Sequence, residues 1–232
     1  MKLYKILTIF LIFTLPCLSQ IKPTTSAGMG YSLYGTNRLD IEDLNTSLKN
    51  NGYTKFSTNF FCVGGGGHGL INDKWIIGGE GQTLLGEDKV RGNYKSSIYA
   101  ASGFVNLGYI VYELSGLKVY PLIGIGAGGL NFSISQDLNS LSFNEILDDP
   151  ERSVQISTSE FLIQVSLGVD YLLTLAQDED GQGGLVFGLR AGYCLSPFQS
   201  DWMMGDLQIS GAPETGMTGP YIRFMFGGFG GN

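Results

Sequence analysis

In residues 161–171 the odd positions Phe161, Ile163, Val165, Leu167, Val169 and Tyr171 are all apolar or aromatic, while the even ones include Gln164, Ser166, Gly168 and Asp170. Successive side chains of an extended chain point to opposite sides, so this pattern specifies a β-strand with one greasy face and one polar or small face. The next run repeats it, with Leu185, Phe187, Leu189, Ala191, Tyr193 and Leu195 set against Val186, Gly188, Arg190, Gly192 and Cys194. Segments 27–36, 56–71, 74–85, 94–112, 117–135 and 217–229 have the same character, which gives eight strands. A strand of about 9–11 residues, tilted, crosses a bilayer's hydrocarbon, whereas strands of soluble domains usually have about five or six. Tyr94, Tyr109, Tyr112, Tyr120, Tyr171, Tyr193 and Tyr221 recur near strand ends, where an amphipathic ring can sit at headgroup level.

Composition supports a β-rich chain. Glycine accounts for 35 of 232 residues, and an interior glycine costs a helix about 1 kcal/mol. Charged residues are only 15%, too few for a disordered chain. A net charge of −7, with no lysine-arginine cluster, gives no footprint for a phosphate backbone, so nucleic acid is not an expected partner.

The first twenty residues carry Lys2 and Lys5, an apolar run over 6–15 and the small-x-small ending Cys17-Leu18-Ser19. This is the pattern of a secretory signal peptide, and its apolar run rises only about 15 Å as a helix, half a bilayer core. Residues 1–19 are read as the signal and 20–232 as a single barrel domain. Pro16 disfavours lipid attachment at Cys17. Cys62 and Cys194 remain, each in an apolar or glycine-rich strand pattern, and are expected as buried, unpaired thiols. No stretch reaches 18 uninterrupted apolar residues, so no transmembrane helix is expected.

Connections between the strands alternate in length. About twenty residues separate strands one and two, followed by a turn at 71–74, a connection over 86–93 and a short 113–116. Then come the long 136–156, the moderately short 176–184 and the long 196–216. Long extracellular loops alternating with short periplasmic turns are the rhythm of outer-membrane barrels, and they put both termini on the periplasmic side. In the first loop, Ile41, Leu44 and Leu48 have helical spacing, with Asp40 placed to cap and Gly52 to terminate. A second short helix is expected over 143–147, stopped near Pro150.

The signal peptide, eight alternating strands and loop rhythm resemble the small bacterial outer-membrane β-barrels of the OmpA, OmpX and OmpW group over nearly the whole mature chain. The resemblance implies an all-β, eight-stranded antiparallel up-and-down transmembrane β-barrel. It also implies residence in the bacterial outer membrane, with membrane lipid and the barrel assembly machinery as partners. Segments 39–51, 64–69 and 78–81 also resemble a recurrent arrangement in uncharacterised exported barrel-like proteins, which supplies no activity. Members of the group commonly finish on an aromatic residue, whereas this chain ends Phe226-Gly-Gly-Phe229-Gly-Gly-Asn232, leaving Phe229 to serve from three places upstream.

With the apolar faces outward, Glu80, Gln82, Glu160, Gln164, Asp170, Arg190 and Arg223 share inward parity on their own strands. The lumen of an eight-stranded barrel is only wide enough for side chains to fill, and unpaired charge there costs several kcal/mol per ion. Arg190 and Arg223 are therefore expected to bridge acids such as Glu80 and Asp170 in a structural network. His68 is the sole histidine, which excludes metal sites needing two. It leaves open a barrel lipid hydrolase of Ser-His-acid type. Gly124-Ile-Gly-Ala-Gly-Gly129 matches a dinucleotide fingerprint, but Leu130 onward continues as strand where a helix is required. Residues 178–181 lack the spaced ligands of a calcium loop. No catalytic, cofactor or metal residue is assigned. The leading expectation is a non-enzymatic barrel with a structural or surface-interaction role, extended to passage of small apolar molecules through a lateral opening. The competitor is a soluble exported lipocalin-like barrel with apolar faces inward around a ligand.

Overall fold

In the computed structural model, residues 25–136, 147, 153–178 and 181–231 are described; the signal peptide and residues 143–146 of the expected second helix lie outside them. In chain order the elements are β1 (Thr25–Arg38), α1 (Glu42–Asn50), β2 (Asn59–Ile71), β3 (Trp75–Arg91), β4 (Tyr94–Tyr109) and β5 (Tyr112–Leu114). They continue with β6 (Leu117–Gln136), β7 (Ser153–Asp178), β8 (Gly181–Gln199), β9 (Met203–Met204), β10 (Leu207–Gln208) and β11 (Gly219–Gly231). Eight long strands pair antiparallel in the cyclic order β1-β2-β3-β4-β6-β7-β8-β11, and β11 returns to β1. Closure leaves these strands no free edge along their paired lengths.

Following paired residues round the ring from Phe161 leads through Ala127, Gly103, Gly81, Gly65, Ser32, Phe226 and Phe187 to Tyr171, ten residues along the same strand. Such a stagger goes with strands tilted roughly 35–45° from the barrel axis. The apolar faces point outward: Val165 is 52% exposed, Ile125 55% and Phe224 60%. Aromatic side chains bound this band, with Trp75, Tyr112 and Tyr171 exposed at one end and Tyr34, Phe61, Tyr99 and Phe161 at the other. An apolar exterior between aromatic girdles is a lipid-facing wall, so the lipocalin-like facing is overturned. The outward side is not uniform, since Gly28, Gly30, Gly65, Gly67, Gly79, Gly81 and Gly103 stand at outward parity on β1 to β4.

Several strands outrun the sequence expectation. β3 reaches Arg91 and β7 spans 26 residues, so the expected connection at 86–93 is a tight hairpin around Gly92. These extensions stand above the lipid band, where no apolar-out alternation is needed. At the hairpin, Lys95 lies 2.6 Å from Asp88 and the Ser97 hydroxyl donates to it at 2.6 Å. Both hold the Asp88 carboxyl below the usual carboxylate range. At the opposite end Asn72 and Asp73 take positive φ in the β2–β3 turn. Phe229 faces the lumen and is buried.

The interior is filled in layers. At the short-turn end Leu70, Ile76, Ile110, Tyr120 and Leu122 form one cluster. Toward the loop end a larger core gathers Leu33, Phe60, Leu84, Leu130, Leu162 and Trp202, roofed by Leu44 and Leu48 of α1. Gly52, at φ +81, ends the helix: Gly52 N–H donates to Lys49 O and Tyr53 N–H to Leu48 O. Asp40 does not cap the helix; its backbone pairs with Gly216 instead, and no side chain caps the helix start. The roof is pinned by Asn45, whose Nδ2 donates to Phe56 O at 3.0 Å while its Oδ1 accepts from Phe56 N–H at 2.8 Å. Asn45→Ala should destabilise this roof by about 1–3 kcal/mol, the cost of leaving buried backbone groups unpaired. Hydrogen exchange should therefore rise over 42–56, with the β-ladder protected as before.

Candidate functional site

Midway between the girdles the inward side chains are polar, because the apolar set has been committed to lipid. Arg190 on β8 and Arg223 on β11 are 1% and 0% exposed and converge on Glu80 of β3. Arg190 Nη1 donates to Glu80 Oε2 at 2.6 Å and Arg223 Nη1 to Oε1 at 2.9 Å. One carboxylate thus takes a guanidinium on each oxygen, a charge-assisted arrangement stronger than neutral pairing. Gln164 on β7 ties the far wall in: its Nε2 donates to Glu80 Oε1 at 2.9 Å and to Asn106 Oδ1 at 2.8 Å, and its Oε1 accepts from Arg223 at 3.1 Å. The Tyr221 ring lies 3.7 Å from the Arg223 guanidinium carbon, and Asn37 sits against the same group.

Asp170 is placed differently from the sequence expectation. It accepts from the Tyr120 hydroxyl at 2.8 Å and lies 3.9 Å from His68 Nε2, rather than being bridged by an arginine. Tyr120 connects the two acids through Arg190, whose Nε donates to the Tyr120 oxygen at 3.3 Å. His68 Nδ1 stands 3.3 Å from Arg190 Nη2. A guanidinium only donates, so Nδ1 accepts and the ring proton sits on Nε2, toward Asp170. Tyr31 completes the cage, its hydroxyl donating to Glu80 and accepting from Arg190, both at 3.3 Å. Tyr31, Tyr120 and Asn106 escape sequence reasoning because tyrosine reads as a girdle residue and a lone asparagine carries no strand signal.

Large inward side chains require small ones opposite. A Cβ on Gly168 would collide with the Tyr120 ring, and one on Gly124 would meet Asn106 Oδ1 and Gln164. Gly124 to Gly129 therefore belongs to a continuous strand shaped around the network, without the helix that a dinucleotide site needs. Cys62 and Cys194 are both buried and free. Among the described residues, no group of three or more His, Cys, Asp or Glu could hold a metal ion.

No protein-family model matches the chain, and a search of curated proteins finds no relative. Among solved structures, the chain is similar to Ail, the attachment invasion locus protein of Yersinia pestis. That match has 13% identity and TM-score 0.40 and covers 89% of this chain and 97% of the other. Neisserial surface protein A matches at 12% identity and TM-score 0.39, covering 88% and 96%. The outer membrane protease OmpT of Escherichia coli matches at 9% identity and TM-score 0.35, covering 90% and 97%. Likeness this distant carries no weight on role; the membrane-barrel assignment stands on closure, stagger and facing.

Removing one partner from the buried cluster leaves an uncompensated charge. Arg190→Met should destabilise the detergent-solubilised barrel by about 3–5 kcal/mol. Glu80→Gln, which sets two guanidiniums face to face, should cost more, and the double replacement less than the sum of the two. Thermal unfolding followed by circular dichroism measures all three. Gly168→Val should prevent the boiled-versus-unboiled gel shift of a folded barrel, with Tyr120→Ala in the same chain restoring it.

Proposed function

We propose that this protein is a sealed, non-enzymatic barrel of the bacterial outer membrane, inserted by the barrel assembly machinery. Its role is structural or one of surface interaction, exercised at its loop-bearing end. The observation that carries the reading is the filled lumen. An apolar cluster closes the short-turn end, the Glu80–Arg190–Arg223 network occupies the middle, and the core roofed by α1 closes the mouth.

Passage of small apolar molecules finds little support, because continuous ladders join all eight long strands within the lipid band. The hydrolase alternative is disfavoured by the place of His68. It is buried at mid-height between Arg190, Asp170 and two tyrosines, far from where a lipid ester would lie against the outer wall.

Reconstituted into a planar lipid bilayer, the mature protein should give no discrete conductance steps, and neither should Asn45→Ala, since the polar layer remains beneath the roof. Regular ohmic steps would overturn the sealed reading. Incubation with lipid A should release no fatty acid; release that disappears in His68→Ala would establish the hydrolase instead.

A further inference from the structure

The β3–β4 hairpin carries its strands well clear of the membrane. Tyr94, at its tip, lies five residues beyond the girdle residue Tyr99 on β4, roughly 12 Å higher once strand rise and tilt are allowed for. At that height a tyrosine 48% exposed has no lipid interface to sit in. Arg91 is its cross-strand partner, so the two side chains leave the hairpin on one face.

Between this hairpin and the end of α1 lies a pocket of about 560 Å³. Asn51, Gly52 and Tyr53 form one wall, and Arg91, Asn93 and Tyr94 the other. Each wall therefore carries an aromatic ring, Tyr53 packed partly against the upper core and Tyr94 open to solvent. No carboxylate lines the pocket.

A second observation concerns how Arg91 is held. A Cβ on Gly52 would lie 2.6 Å from Arg91 Nη1 and 3.2 Å from the guanidinium carbon, so the glycine that ends α1 also leaves the shelf on which the guanidinium rests. It rests there unused: among the described residues its side chain makes no ion pair and no hydrogen bond. Cations are favoured at a helix C-terminus, yet no helix carbonyl accepts from this one, and its five N–H donors stay available. The neighbouring acids are engaged elsewhere, Glu87 with Lys89 at 3.3 Å and Ser57 N–H at 2.8 Å, and Asp88 with Lys95 and Ser97. Lys49 and Lys55, on either side of Asn51 to Tyr53 in the chain, have no ion pair among the described residues either. In a chain of 14 basic and 21 acidic residues, this is a local excess of positive charge with nothing of its own to neutralise it.

We propose that this pocket binds an acidic sugar, with Arg91 on the acid group, Tyr53 and Tyr94 against the C–H faces of the ring, and Asn51 and Asn93 on its hydroxyls. The guanidinium fork matches a carboxylate or phosphate through two parallel hydrogen bonds. A pyranose offers C–H faces to aromatic rings and neighbouring hydroxyls to amides, which both donate and accept. Asn51 keeps its Oδ1 for this, its Nδ2 being given to Ser47 O at 2.9 Å. A polyanion such as nucleic acid calls for a track of cations, whereas the lining supplies one, enough for a single acid group. The height of the hairpin sets the pocket above lipid headgroups, at the level of surface sugars. The sugar belongs either to the outer leaflet's own glycolipid or to a soluble glycan. The assignment gives the surface-interaction reading a ligand class and rests on that reading, but conductance tests sealing whereas ligand titration tests the pocket, so either can fail alone.

The test is saturation-transfer NMR titration of the folded mature protein, in a detergent without a sugar headgroup, with methyl glucuronide, with methyl glucoside and with inorganic phosphate. Saturable glucuronide binding is expected, with the glucoside about tenfold weaker and phosphate alone weaker still. Arg91→Gln should lower glucuronide affinity about tenfold, to that of the glucoside, the scale of one lost hydrogen bond to a charged group, and leave the glucoside unchanged. Tyr94→Ala should weaken both sugars alike. Lys74→Gln, which removes a cation in the turn at the opposite end, should alter neither. In nanodiscs, competition by rough lipopolysaccharide but not by lipid A identifies the membrane's own sugars as the source; competition by neither identifies a soluble glycan. Absence of saturable glucuronide binding, equal affinity for the glucoside, equal affinity for phosphate, competition by lipid A itself, or unchanged glucuronide affinity in Arg91→Gln would each overturn the proposal. Arg91 and Tyr94 are exposed on a hairpin outside the lipid band, so both variants keep the folded barrel, which their unboiled gel mobility checks.

Discussion

Glu80 holding Arg190 on one oxygen and Arg223 on the other is the interaction around which the interior is arranged. A barrel of eight strands that turns its apolar side chains toward lipid has only polar and small ones left to fill its centre. Buried charge is tolerable there only when each group meets an opposite charge and its remaining hydrogen-bonding capacity is used. Gln164, Asn106, Tyr31 and Tyr120 use that capacity, and the inward glycines make room for them.

The network also couples local pairing to global closure. Glu80 and Arg223 are 143 positions apart, and Gln164 reaches Glu80 across 84. No hairpin can assemble these contacts by itself, because β3 meets β7, β8 and β11 only across the closed ring. A chain built this way gains its central stabilisation late, after the loop-closure entropy of nearly the whole domain has been lost. The layers on either side are apolar, and only part of the upper one is local, as where Asn45 of α1 holds Phe56 eleven residues on.

Facing was legible in the sequence because period-two alternation assigns every side chain of a strand once one is assigned. Glu80, Arg190 and Arg223 share the interior for that reason. Height was not legible, since parity says nothing of how far one strand slides past the next. The stagger of ten residues accumulated around the ring brings Asp170 to Tyr120 and His68 instead of to an arginine. The upper ends of β3 and β7 were missed because, clear of the hydrocarbon, their outward positions have no reason to be greasy. Asp40 looked like a helix cap by local chemistry, yet Gly216, 176 positions later in the chain, claims its backbone. The pocket beside Arg91 was equally hidden, for it arises where the end of α1 meets the β3–β4 hairpin and from no motif in either of them.

The outward glycines of β1 to β4 make the wall uneven. Opposite them, β7 and β8 clothe their main chain in leucine, valine and phenylalanine, so the molecule has a padded flank and a bare one. Acyl tails reach closer to the peptide groups of the bare flank by about the depth of a side chain. There, the insulation that keeps water from the ladder amides is supplied by the surrounding bilayer rather than by the protein itself.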